Sequence, residues 1–165
     1  MSGRSVQRSA LDALAEDWAS SWVGREGVEF DRCCTPDVGY EDPVLVEPLD
    51  GLEALTEHAR LLRAGFPDLR VERPSASLAR GRFACIPWRL LGTHRGELAA
   101  LPPTDRFVIL HGVHYVELVD GRIRRARGFF DLYDVAIQLG LLPGRGSLGE
   151  TALLLLRGFG LRRKD

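Results

Sequence analysis

Ala10, Leu11, Leu14, Trp18 and Trp22 recur at three- and four-residue spacing, so the first segment carries one apolar face of a helix that ends near Gly24. Val28 to Cys34 fits a second, short helix stopped by Pro36. A strand with Tyr40 and Asp42 follows, and Gly51 then opens a third helix whose stripe is Leu52, Leu55, Ala59 and Leu62, closed by Gly65 and Pro67. From Leu69 onward the pattern becomes strands separated by turn signals, over about 69–78, 82–91, 105–119 and 122–130. Asp120-Gly121 is the clearest hairpin signal. Asp131 to Leu139 reads as another helix with Asp131 as its N-cap. After Leu142-Pro143-Gly144, the apolar segment from Gly149 to Leu161 reads as a C-terminal helix that closes the domain or meets a second copy, ended by Arg162, Arg163 and Lys164. The alternative, a membrane-surface helix, is weakened by Gly158 and Gly160.

Helices first and a meander of long strands afterwards predict an α+β domain, with helices covering one face of a curved antiparallel sheet and a pocket between the two layers. At 165 residues and 45% hydrophobic, the chain fits one folded domain. Net charge is −1, but residues 1–60 carry −8 and residues 61–165 carry +7. The basic residues are scattered apart from Arg122, Arg124, Arg125 and Arg127, and no nucleic-acid motif accompanies them, so no nucleic-acid partner is expected. Cys33, Cys34 and Cys85 are odd in number and lack metal-ligand spacing, which reads as reduced thiols in a cytoplasmic protein. No run approaches the roughly 18 apolar residues of an integral membrane segment. Widely spaced histidines without clustered acids predict no metal site, and the lack of a phosphate-cradling glycine loop predicts no cofactor.

The chemistry-bearing segment is Gly39-Tyr40-Glu41-Asp42-Pro43-Val44, continued by Glu47-Pro48 and Gly51. Strand alternation points Tyr40 and Asp42 to one face and Glu41 to the other, and Pro43 ends the pairing at Asp42. If that face lines a cavity, Asp42 is a candidate proton carrier whose charged form is penalised among apolar walls, raising its pKa. Alternatively, Asp-Pro merely opens a turn. His114, between Val113 and Tyr115, is either a structural histidine or a ring N–H donor, and Trp18 is either plain core or an indole donor. His111 falls on the opposite strand face, and His94, in the Gly-Thr-His-Arg-Gly loop, is expected to be exposed.

The order of elements, with Tyr40-Glu41-Asp42-Pro43, Gly92-Thr93-His94-Arg95-Gly96-Glu97, Pro102-Pro103-Thr104-Asp105-Arg106 and Asp120-Gly121-Arg122-Ile123, resembles the SnoaL-like polyketide cyclase group of the nuclear transport factor 2-like superfamily. The resemblance covers about residues 8–142, leaving 143–165 as a C-terminal apolar helix with a basic end. It implies a cone-shaped α+β fold that hosts isomerases, cyclases, dehydratases, epoxide hydrolases and non-catalytic modules. The run Glu41-Asp42-Pro43-Val44 is similar to the segment of ketosteroid isomerases that carries the general base, which falls on Asp42. Their two oxygen-side donors fall on Trp18 and His114. The pocket histidine of the polyketide cyclases also corresponds to His114, whereas their general-acid aspartate on the last strand corresponds to Gly128. Asp131, three residues later, has the opposite strand parity and reads as a helix cap.

These residues suit a cofactor-independent isomerase or cyclase that transfers a proton next to a carbonyl, with Asp42 as base and His114 and Trp18 toward the oxygen. Tyr40, Phe66, Trp88, Gly128 and Phe130 would then line the substrate site, with room at Gly128 for a bulky, flat, apolar, carbonyl-containing ligand of polyketide, terpenoid or steroid type. Homodimerisation through the open sheet face is what the resemblance implies. The alternative function is a non-catalytic ligand-binding or dimerisation module of the same fold.

Overall fold

The first apolar stripe forms helix α1, Ser2–Val23, and buries Leu11, Ala15, Trp18, Ala19 and Trp22. The computed structural model describes residues 2–25, 27–98 and 100–156. Gly24, at φ 67°, ends α1. The Arg63 guanidinium donates to the carbonyl oxygens of Ser21 and Trp22 at 3.3 and 3.1 Å, which satisfies open carbonyls and places a cation at the negative end of the helix.

The helix expected over 28–34 is reduced to one 3-10 turn, Phe30–Arg32. Phe30 packs edge-on against Trp18 and Trp22 at 5.3 and 5.4 Å, and strand β1 already begins at Cys34, running Cys34–Glu41. Strand-favouring Thr35 and Val38 and the ladder offered by the last strand outweigh the short helical pattern. Strand β2, Leu49–Asp50, leads into α2, Gly51–Gly65, which buries Leu55 and Ala59. The strand expected over 69–78 is split into β3, Arg70–Glu72, and β4, Leu78–Arg80. Pro74 lies in the gap and cannot donate to a ladder. Strands β5, Phe83–Thr93, β6, Phe107–Val119, and β7, Arg122–Phe130, form the long meander. Asp120 and Gly121, at φ 51° and 76°, make the tight β6–β7 hairpin.

The sheet order is β2-β1-β7-β6-β5-β3, with β4 also paired to β5. Among the described residues the pairs are antiparallel except β1 with β7, which run parallel, so the expected antiparallel sheet is a mixed, curved and unclosed one. The elements from β2 to β6 separate β1 from β7 along the chain, which returns beside β1 in the same direction.

Helix α3, Leu132–Gln138, starts as expected from Asp131, whose side chain accepts from the Asp134 N–H at 2.9 Å. Gln138 then closes the ladder beyond the end of β7: its amide accepts from the Ile109 N–H and donates to the Ile109 carbonyl, both at 2.8 Å. Helix α4, Leu148–Leu156, is capped by Ser147, and its Glu150 accepts from the Tyr133 hydroxyl at 3.1 Å. The expected continuation to Leu161 and the basic end Arg162, Arg163 and Lys164 lie outside the described residues. Among the described residues no helix is long and apolar enough to cross a membrane.

Two apolar clusters fill the space between helices and sheet. The first joins Trp18, Trp22, Phe30, Tyr40, Leu55, Ile86 and Val116; the second joins Phe66, Trp88, Val108, Leu110 and Leu139. Fully burying one such side chain contributes roughly 1.5–3 kcal/mol.

Candidate active site

Strand register brings the polar groups together. His114 on β6 pairs with Ile86 on β5 and with Gly128 on β7. On the other side of β7, Tyr40 and Glu41 pair with Ala126 and Arg127, so the chain leaves β1 at Asp42 beside Gly128. Glu41 turns outward to an ion pair with Arg127 at 3.5 Å, and Tyr40 turns inward at 3% exposure. The alternation expected of this strand holds.

Asp42 both opens a turn and is buried. Its backbone carbonyl accepts from the Leu45 N–H at 3.2 Å, closing a four-residue turn with Pro43 in second position. Its side chain is only 5% exposed. Oδ1 accepts from the N–H groups of Val44 and Leu45 at 2.9 and 3.3 Å, and Oδ2 accepts from the Tyr40 hydroxyl at 3.0 Å. The fourth partner is His58 Nε2, 3.3 Å from Oδ2. Burial pushes the Asp42 carboxyl up, but the hydrogen bonds from His58, Val44 and Tyr40 outweigh it and hold the group below the usual carboxylate range. The rise expected from burial alone is thus reversed, because the turn delivers donors into an otherwise apolar wall. Burial, with Asp42 nearby, pushes the Tyr40 phenol up and keeps it a neutral donor.

His58 was not singled out in the sequence, although it stands on the buried side of α2, three residues after Leu55 and four before Leu62. That stripe position was the signal available.

His114 is treated in the opposite way. The Trp18 indole N–H donates to its Nδ1 at 3.0 Å, so the ring proton sits on Nε2. Burial, opposed only by the Asp42 charge, lowers its pKa to about 3. The ring lies between two indoles, parallel to Trp22 at 5.9 Å and tilted against Trp88 at 5.3 Å. The indole N–H groups of Trp22 and Trp88 are buried and have no hydrogen-bond partner among the described residues. Trp18 therefore directs its N–H at His114 and holds that ring, a different use from the donor to substrate oxygen expected of it.

Gly128 is the joint between the two walls. A Cβ there would stand 3.1 Å from Asp42 Cβ, 3.2 Å from the Tyr40 hydroxyl and 3.5 Å from His114 Cδ2. The room expected at this position is thus taken by Asp42, Tyr40 and His114. The Trp88 indole lies flat over Gly112, where a Cβ would come within 2.2 Å of it. Phe130 meets Trp88 edge-on at 5.9 Å, and Phe66, in the same second cluster as Trp88, lies against His94 at 5.4 Å. His94, expected to be exposed, is fully buried, because its Nδ1 accepts from the Thr104 N–H at 3.2 Å and its ring packs on Phe66.

Two surface concavities lie away from this cluster. One, of about 480 Å³, is lined by Asp37, Gly39, Asp50, Gly51, Arg124 and Arg125. The other, of about 490 Å³, has an acidic rim of Glu29, Asp31, Glu53 and Glu57. Among the described residues no group of three or more His, Cys, Asp or Glu is placed to hold a metal.

Comparison with known proteins agrees with this architecture. Nogalonic acid methyl ester cyclase of Streptomyces nogalater is 43% identical over 51 residues, a match spanning 31% of this chain and 38% of that protein. The structure of a SnoaL-like protein from Jannaschia sp. CCS1 superimposes with a TM-score of 0.72 at 22% identity, covering 82% of this chain and 95% of that one. AclR from Streptomyces galilaeus superimposes with a TM-score of 0.70 at 20% identity, covering 92% and 94%. The two structural likenesses show that the chain shares their fold. The family of SnoaL-like polyketide cyclases matches residues 11–139, most of the chain. With the cone, the parallel β1–β7 pair and the Asp42–Gly128–His114 row in place, the chain belongs to the SnoaL-like polyketide cyclase family.

Proposed function

We propose that this protein is a cofactor-independent isomerase or cyclase that moves a proton next to a carbonyl, with the Asp42 carboxylate supplying the basicity of the site and His114 the oxygen-side donor. The observation that carries the reading is a buried carboxylate and a buried neutral imidazole that both border Gly128, with Asp42 Cβ and His114 Cδ2 within 3.1 and 3.5 Å of where its Cβ would stand. In the reaction a C–H bond next to the carbonyl breaks, its proton passing to the basic Asp42 side of the site and its electron pair forming an enolate. Its oxygen is met by His114 Nε2–H, which stays a neutral donor because burial keeps the ring unprotonated. The enolate then takes a proton at a different carbon or closes on a second carbonyl. Trp18 acts here as a positioning residue that fixes the His114 tautomer.

A bulky apolar ligand of polyketide, terpenoid or steroid type is supported by Trp88 and Phe130 beside His114 and by the exposed Val44 and Val46 on the turn after Asp42. The relative named for cyclising nogalonic acid methyl ester supports the polyketide class. Phe107, Ile109, Tyr115, Val119 and Phe129 are exposed on the outer sheet face, which supports a homodimer through that face. Free thiols at Cys33, Cys34 and Cys85 fit a cytoplasmic setting. Residues 8–142 are the catalytic domain in this reading, and 143–165 an appendage.

The test is turnover of a panel of enones and polyketide-like ketones by wild type and Asp42→Asn. A loss of about 100-fold or more is expected for the variant; equal turnover by both would sink the role of Asp42. The interior filled by Trp18, Trp22, Phe30, Tyr40 and His114 favours a second reading, a non-catalytic ligand-binding or dimerisation module. A ketone that binds tightly without isotope exchange at its acidic carbon supports that module.

A further inference from the structure

We infer that the group which takes and returns the proton is the imidazole of His58, with Asp42 as the carboxylate that orients it; this rests on the proton-transfer reading above. All four acceptor directions of the Asp42 carboxylate are engaged, by Val44 N–H, Leu45 N–H, the Tyr40 hydroxyl and His58 Nε2. Such a carboxylate takes a substrate proton only by giving up a bond. It is also the drier member of the pair, with its side chain 5% exposed against 20% for His58.

His58 has the complementary properties. Because an ionised carboxylate can only accept, Nε2 is the protonated nitrogen of neutral His58, which leaves Nδ1 with an open lone pair. Among the described residues Nδ1 meets no hydrogen-bond partner. The ring is held edge-on to Trp22 at 5.9 Å and beside Tyr40 at 5.8 Å, so its plane is fixed by packing. The pair has the logic of a base oriented by a third group, with the two ring nitrogens in exchanged roles relative to the serine-protease arrangement.

The step balances without a further reagent. The Nδ1 lone pair takes the proton from the carbon next to the carbonyl, and the C–H electrons become the enolate double bond, with the charge on the oxygen facing His114. The imidazolium is stabilised by Asp42. In an isomerisation Nδ1–H returns the proton to a distal carbon of the enolate. In an aldol closure it returns the proton to the new alkoxide.

The experiment is deuterium exchange of 2-tetralone in D₂O by the full chain, followed by proton NMR, with wild type, His58→Ala and Asp42→Asn, all checked for folding by circular dichroism. His58→Ala is expected to lose about 100-fold in the exchange rate at saturating ketone, with KM changed less than about threefold. Added imidazole is expected to restore about tenfold of that loss in His58→Ala and nothing in Asp42→Asn, a readout that a merely structural histidine would not move. Wild-type exchange in His58→Ala beside a dead Asp42→Asn, or loss without rescue, overturns the assignment of His58 and leaves the Asp42 reading standing. Equal exchange by wild type and Asp42→Asn, or binding of 2-tetralone by wild type without exchange, overturns both. Independently of any ketone, long-range nitrogen NMR of the ring is expected to show the Nε2–H tautomer for His58, and an Nδ1–H tautomer would contradict the proposal.

Discussion

Asp42 and His114 stand on opposite sides of Gly128, yet the fold holds one charged and the other neutral. The turn after β1 brings two backbone N–H groups onto Asp42, and Tyr40 and His58 add two side-chain donors, so burial is overcome. His114 receives one indole N–H and is otherwise enclosed by Trp22 and Trp88, so burial prevails. Depth alone does not set the protonation state in this cone. The number of donors reaching each group does, and a turn supplies more of them than a mid-strand position between indoles.

The largest expected effect on stability concerns acid. The folded pKa of His114 lies near 3 against an ordinary 6.5, so between these values the unfolded chain binds more protons. Stability is full above about pH 6.5 and falls toward pH 3, at most by about 1.4 kcal/mol per pH unit. Asp42, whose carboxyl is held down, adds loss in the same direction as pH falls below its ordinary 3.8. Urea unfolding at pH 7 and pH 4 checks this: His114→Phe should flatten the upper part of the acid limb, and an unchanged limb would show that another group causes it.

A smaller effect separates the two indoles beside His114. Trp18→Phe removes the donor to Nδ1 and leaves a buried acceptor unpaired, at a cost of about 1–3 kcal/mol beyond the lost packing. Trp22→Phe removes an N–H without a partner among the described residues, and should lose less. Equal losses in thermal melts would contradict the assigned hydrogen bond. Smaller still is Gly128→Ala, whose Cβ would press on Asp42 and Tyr40 from 3.1–3.2 Å; a cost toward the lower end of the roughly 1–3 kcal/mol usual for overpacking is expected. A neutral result in the same melts would mean that Asp42 can yield.

Much of this was readable from the chain. The apolar stripes of α1 and α2, the Asp120-Gly121 hairpin and the Asp131 cap follow from local rules that tertiary contacts did not override. Tyr40 and Asp42 share a face because Pro43 ends a strand of known parity. The parallel β1–β7 pair was not readable, since pairing between distant strands leaves no local signal. His58 was hidden for a related reason: its partner lies 16 residues away across a turn, and one histidine on an apolar stripe looks like core. His94 lies in a loop, as its sequence predicts, but it is buried rather than exposed because Thr104 and Phe66, which only the fold brings near, enclose it. The absence of an acid at Gly128 suggested space, and the structure fills it from the neighbouring strands.

The central claim, a charged carboxylate and an imidazole neutral down to about pH 4 on either side of Gly128, is tested most directly by following the ring signals of His114 and the side-chain carboxyl carbon of Asp42 by NMR as pH is lowered. The account predicts that His114 keeps its Nε2–H tautomer and does not titrate above about pH 4, while Asp42 stays ionised to below its ordinary value. A His114 ring that takes up its proton near 6.5, or an Asp42 that is protonated at neutral pH, would contradict it.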